Sequence, residues 1–73
     1  MFFVHRQRRQ FVVYKVDAQH NAVVVEDLLS GLRIEVPYGT RDLAQAEFTD
    51  EYELHFIFQD GSEKSINLLM QGY

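Results

Sequence analysis

The residues best suited to chemistry stand at the start of the chain, where Phe2, Phe3, Val4, His5, Arg6, Arg8 and Arg9 crowd together. Their chemistry is recognition. Large apolar rings fill pockets on a partner, and arginine makes forked, charge-assisted hydrogen bonds, so both types are enriched where interfaces gain their energy. Burying each Phe side chain contributes about 2 kcal/mol, enough for the pair to decide an affinity. Charge sets this segment apart as well. Residues 1–15 hold four basic groups (Arg6, Arg8, Arg9, Lys15) and no carboxylate, whereas residues 16–73 hold 11 acidic groups against Arg33, Arg41 and Lys64. The formal charges are +4 and −8, for −4 overall. Two readings of residues 1–9 stay open. They form a docking arm that inserts its rings into a partner, or a terminal strand pinned to the sheet with its arginines reaching water. The two are compatible if the outer face of the strand is the interface.

The remaining constellations point away from catalysis. His5, His20 and His55 lie on three separate segments without an HxxxH spacing. His55 is expected on the exposed face of a strand beside Glu53 and Ile57, as a surface histidine–carboxylate pair. Ser30, Ser62 and Ser65 fall in turn or strand positions with no nucleophile elbow, and no glycine-rich phosphate loop is present. Seven carboxylates, Asp42, Glu47, Asp50, Glu51, Glu53, Asp60 and Glu63, follow one another without an intervening Lys or Arg. They read as a solvated face that keeps a small protein soluble, or as a surface that repels nucleic acid or meets a basic partner. Asp50-Glu51-Tyr52-Glu53 lacks the spacing and the turn glycine of a calcium loop. With no cysteine in the chain, disulfides and thiolate metal sites are excluded. The expectation is a non-enzymatic protein with no catalytic residue, no metal and no cofactor.

These groups must be positioned by a small fold. A chain of 73 residues supports one domain, taken as residues 10–73 behind an arm at residues 1–9. At this size roughly 60% of the unfolded surface is buried and the net stability is a few kcal/mol. From Phe11 to Met70 the dominant apolar period is two, the strand period. Strands are expected over Phe11–Val16 and Ala22–Leu28, separated by the turn residues Asp17-Ala18-Gln19-His20-Asn21. In the third, Leu32, Ile34 and Val36 alternate with Arg33 and Glu35, and Pro37 ends it. Val12, Tyr14 and Val24 make the first two strands apolar on both faces, as in central strands or strands covered by the arm. Asp42-Leu43-Ala44-Gln45 has the spacing of a capping box, and Leu43, Ala46 and Glu47 suit a helix of about two turns. A hairpin follows, with Tyr52, Leu54, Phe56 and Phe58 on one face, Asp60-Gly61 at a tight turn, and Ile66, Leu68 and Met70 returning to the core. The fold class is mainly β with one short helix, in the order β-β-β-short α-β-β. It forms a small antiparallel sheet or an open barrel.

The length, the opening Met1-Phe2-Phe3-Val4-His5-Arg6 and the acidic, β-rich body resemble small lytic-phage proteins that bind the host RNA polymerase. That resemblance covers the whole chain. It implies contact with the N-terminal part of the polymerase β′ subunit near the RNA exit channel, with NusA as a further partner. It also implies two effects, inhibition of host promoters and read-through of intrinsic terminators. The arm residues Phe2, Phe3, Val4, His5, Arg6, Arg8 and Arg9 are then the contacts, with the arginines beside acidic side chains or the nascent RNA. The alternative is a small barrel that binds nucleic acid or another protein. The acidic balance argues against general nucleic-acid binding, which needs a broad basic face to release counterions from phosphates. No apolar run approaches the ~20 residues that span a bilayer, so no membrane partner is expected. The charges follow the apolar residues at the N-terminus, the wrong order for a signal peptide, and the expected location is the cytoplasm of the bacterial host.

Overall fold

The short apolar alternations produce six strands in the computed structural model, which describes residues 10–70. They are β1 (Phe11–Asp17), β2 (Ala22–Asp27), β3 (Arg33–Pro37), β4 (Leu43–Phe48), β5 (Glu53–Phe58) and β6 (Glu63–Asn67). A 3-10 turn, Ala18–His20, joins β1 to β2. The strands form two antiparallel three-stranded sheets, ordered β1-β2-β3 and β4-β5-β6. The expected mainly-β, antiparallel class is what the chain adopts. Among the described residues no helix is long and apolar enough to cross a membrane.

The short helix expected around residues 42–47 is instead strand β4. Leu43, Ala44, Gln45, Ala46 and Glu47 are good helix formers, but a helix below about 12 residues has little stability of its own. Pairing with β5 wins. Leu43 opposes Phe58 while Gln45 opposes Ile57, so Ala44 is an extra, bulged residue. The bulge brings Leu43, Ala46 and Phe48 to the core side together. A three-residue apolar spacing that reads as a helical turn is here produced by a bulge.

The first sheet contains a similar device. Val13 opposes Val25 and Lys15 opposes Val24, so Tyr14 is the extra residue of β1. Tyr14 is turned out to solvent, where the Arg33 guanidinium lies 3.8 Å from its ring centroid. β2 is the central strand and is buried over Ala22–Val25 on both its faces, as its composition suggested. β1 is not central: among the described residues it lies at the edge of its sheet.

The two sheets share one core. Phe11, Val23, Val25 and Val36 of the first sheet meet Phe48, Leu54, Phe56 and Phe58 of the second, with Tyr38 and Leu68 closing the gaps. The Tyr38 ring centroid lies 6.0 Å from that of Phe56 and 6.3 Å from that of Phe58, both tilted. Met70, expected on the core face, is 80% exposed. The chain turns away after Leu68, because Asn67 Oδ1 accepts hydrogen bonds from the Leu69 and Met70 amides. The β5–β6 turn also differs from the expected two-residue form. Asp60 does not adopt positive φ, and Gly61 alone does, at 90°. Gly61 N donates to Phe58 O and Phe58 N donates to Ser62 O, a three-residue loop in which glycine fills the left-handed position.

Candidate functional site

Phe2, Phe3, Val4, His5, Arg6, Arg8 and Arg9 lie outside the described residues. Their point of attachment is well defined. Gln10 O accepts a hydrogen bond from Leu28 N at 2.7 Å, and Gln10 Nε2 donates to Asp27 Oδ2 at 3.5 Å. From the other sheet's side, the Tyr52 hydroxyl donates to Gln10 Oε1 at 3.3 Å. The next residue is fixed by its ring: Phe11 stacks on Phe48 at 6.3 Å and meets Tyr52 edge-on at 5.9 Å. The described residues therefore begin with a residue hydrogen-bonded on both sides and a buried aromatic. Sequence reading missed Gln10, because a lone glutamine carries no spacing signal. Only the meeting of the β2–β3 turn with the β4–β5 loop gives it partners.

This meeting point defines one pole of the molecule. It comprises the start of β1, the Asp27–Leu32 turn, the β4–β5 loop and the end of β6. Leu68 N donating to Tyr52 O at 2.9 Å draws the last of these in. Asp27 organises its turn, with Oδ1 accepting from Leu29 N at 2.9 Å and its backbone O accepting from Gly31 N at 2.7 Å. The Leu29 amide, followed by Gln10 and Ser30, holds the Asp27 carboxyl below the usual carboxylate range.

The seven carboxylates of residues 42–63 do not form one face. Asp50 and Glu51 sit in the loop at the pole just described. Glu47, Glu53 and Glu63 surround His55: Glu47 is its register partner on β4, Glu53 precedes it by two residues on β5, and Glu63 Oε1 is 2.9 Å from its Nε2. Asp42 and Asp60 lie at the opposite pole beside Arg41. There Arg41 Nη1 donates to Ser62 Oγ at 2.8 Å, and Ser62 Oγ in turn donates to Asp60 Oδ1 at 2.6 Å. The Ser62 hydroxyl and amide, together with the Arg41 charge, lower the Asp60 pKa. Two shallow clefts flank Arg41, and Lys64 lines one of them. Asp42 and Asp60 offset Arg41 in the first cleft, whereas Glu63 offsets only one of the two cations, Arg41 and Lys64, that line the second.

The histidines occupy surface networks. His55 Nδ1 is 2.8 Å from Ser65 Oγ, its cross-strand neighbour, so hydroxyl, imidazole and carboxylate form one line across β5 and β6. An ionised carboxylate only accepts, so Nε2 carries the proton toward Glu63. With the ring neutral, the Ser65 hydroxyl donates to Nδ1. The order resembles a hydrolytic triad, but Ser65 is a ladder residue on the outward side of a sheet rather than on a strained elbow over a pocket. The line ties the two strands of the hairpin together. His20 Nδ1 lies 2.7 Å from Asp17 Oδ2 across the 3-10 turn, and both residues remain in contact with solvent. That hydrogen bond raises the His20 pKa and lowers that of Asp17.

Comparison with family models, with curated proteins and with solved structures finds no match to this chain.

Proposed function

We propose that this chain is a non-enzymatic regulator that binds bacterial RNA polymerase through residues 1–9. The contact lies at the N-terminal part of the β′ subunit near the RNA exit channel, in the cytoplasm of a phage-infected host. Bound there, it inhibits promoter use and promotes read-through at intrinsic terminators, with NusA as a further partner. The observation that carries this reading is the division of the chain into a basic, aromatic opening and an acidic body. The whole-chain resemblance adds the identity of the partner. Phe2, Phe3 and Val4 anchor in an apolar groove, and Arg6, Arg8 and Arg9 pair with carboxylates of the partner or lie beside emerging RNA. The acidic body is repelled from the nucleic acid itself. Anchoring of Gln10 and Phe11 at the base of the arm supports the mechanism, because a fixed base transmits binding of the arm into a fixed orientation of the body. From that position the body narrows or re-charges the exit path, which disfavours a terminator hairpin. The same contact holds the polymerase in one conformation and so opposes promoter opening.

The test is binding of the full-length protein and its Phe3→Ala/Arg6→Ala variant to purified polymerase. The variant is expected to lose at least tenfold in affinity, with the wild-type interaction persisting as salt is raised, since an aromatic anchor resists screening. Equal binding by the variant removes the arm reading. A steep fall of affinity with salt, together with direct binding to RNA, favours a nucleic-acid-binding barrel instead.

A further inference from the structure

We propose that the second cleft beside Arg41, the one lined by Lys64, is an anion site that takes a phosphate group, free or as a small phosphomonoester. The proposal goes beyond the polymerase reading and does not depend on it.

A tyrosine carries the argument. Tyr38 is 4% exposed, and its hydroxyl has no hydrogen-bond partner among the described residues. A tyrosine buried to this degree ordinarily finds one. Among the described residues no polar side-chain atom sealed from solvent is left unpaired, so the Tyr38 hydroxyl is at the surface. The surface that Tyr38 lines is this cleft, of about 350 Å³, at the small end of the range for ligand sites. The ring is packed against Phe56 and Phe58, with centroids at 6.0 and 6.3 Å, so the hydroxyl needs little ordering to bind.

Charge selects the ligand. Lys64 opposes Phe56 in register and so shares the core side of β6 with Ile66, where it lines the cleft. It makes no ion pair among the described residues. Arg41 lines the same cleft. Its guanidinium carbon lies 5.8 Å from the Phe58 ring centroid, and Ser62 Oγ accepts one of its N–H groups. Asp60, reached through Ser62, offsets part of the Arg41 charge from the neighbouring cleft. Glu63 follows the opposite direction to Lys64: its carboxylate bonds His55 on the outward side of the hairpin, as the alternation of a strand requires. Lys64 is therefore the cation left over. The cleft brings together an ammonium, a guanidinium and a phenol, with the Thr40 hydroxyl at its rim. Donors of two positive groups and two hydroxyls suit an oxyanion with several acceptor oxygens, as phosphate has. An inward lysine on an edge strand also discourages pairing with another chain. That role accounts for Lys64 but not for the unpaired phenol that opens onto the same cleft.

The experiment is an amide-resolved NMR titration of the full-length protein with inorganic phosphate and with phenyl phosphate, at constant ionic strength. The same titrations are run on Lys64→Gln, on Tyr38→Phe and on Lys15→Gln, which removes a lysine of the other sheet; thermal melts verify that each is folded. Shifts are expected at residues 38–41 and 62–64, with affinity lowered about fivefold by Lys64→Gln and about threefold by Tyr38→Phe, and unchanged by Lys15→Gln. Tyr38→Phe removes a hydroxyl that bonds nothing in the fold, so a purely structural tyrosine would leave binding as it was. Tighter binding of phenyl phosphate assigns the group to an ester and equal binding to the free ion; either result keeps the site. Shifts centred elsewhere, no saturable binding by the wild type, or equal effects of Lys64→Gln and Lys15→Gln overturn it. If Tyr38→Phe does not fold, Lys64→Gln against Lys15→Gln decides.

Discussion

The two sheets are both antiparallel meanders with a bulge in the first strand, yet their central strands are built on opposite plans. β2 reads Ala-Val-Val-Val and is buried on both sides, whereas β5 alternates strictly, with Leu54, Phe56 and Phe58 inward and Glu53, His55 and Ile57 outward. β5 supplies volume: Phe56 and Leu54 are the largest fully buried side chains of the described residues. β2 supplies thin, β-branched filler on two faces. The difference shows that the core depends on one aromatic strand, while the first sheet contributes a second apolar face of its own.

Removing the aromatic strand's contribution is the most direct way to break this comparison. Phe56→Ala is expected to cost about 3–5 kcal/mol, close to the whole stability of a domain this small, and so to leave the chain largely unfolded. Val25→Ala, equally buried on β2, is expected to cost about 2 kcal/mol. Urea unfolding followed by circular dichroism separates the two. Equal losses would mean that the sheets share the core evenly.

A smaller effect sharpens the difference between the outer faces. Val24 lies outside the main core cluster, with Lys15 and Glu35 as register partners, yet it is only 7% exposed. Val24→Ser is expected to cost about 1–3 kcal/mol, because a hydroxyl is buried there without a designed partner. Ile57→Ser, on the half-exposed face of β5, is expected to cost less than half as much. Thermal unfolding of the pair tests the ordering, and a reversal would show that the outer face of β2 is open.

The smallest effect concerns the turns. His20 is titrated by NMR in the wild type and in Asp17→Asn, and its pKa is expected above the ordinary 6.5 in the former and to fall in the latter. The sign follows from both partners. The raised histidine pKa stabilises the fold below pH 6.5 and loses that effect as pH rises through the folded value; the lowered aspartate pKa stabilises it above pH 3.8 and loses that effect as pH falls through the folded value. The pair therefore contributes most between these two pH values. An unshifted His20 would mean that solvent replaces the Asp17 contact.

How much was legible depends on the range of the signal. The hairpin of Leu54, Phe56, Phe58, Ile66 and Leu68 was readable because strict alternation and Asp60-Gly61 act locally. Leu28, expected to end the second strand, instead lies in the turn after Asp27 and is 51% exposed. The β4 segment misled because Leu43 and Ala46 share a face through a bulge, and a bulge is set by the partner strand. The split of the carboxylate run into three groups could not be read from its composition either. Neighbouring residues in sequence alternate between faces, and successive turns lie at opposite poles.

The sequence by itself determined the strand period, most of the turns, the basic and aromatic character of residues 1–9 and the acidity of everything after them. Those properties are set by residue type and by spacings of two to four, over which backbone and side-chain preferences act directly. Only the tertiary structure decided that β4 is a strand, that Gln10 bridges the two sheets and that five exposed apolar side chains gather in two turns at one pole. Each of these requires segments far apart in sequence to meet, and the burial of the shared core selects which ones do.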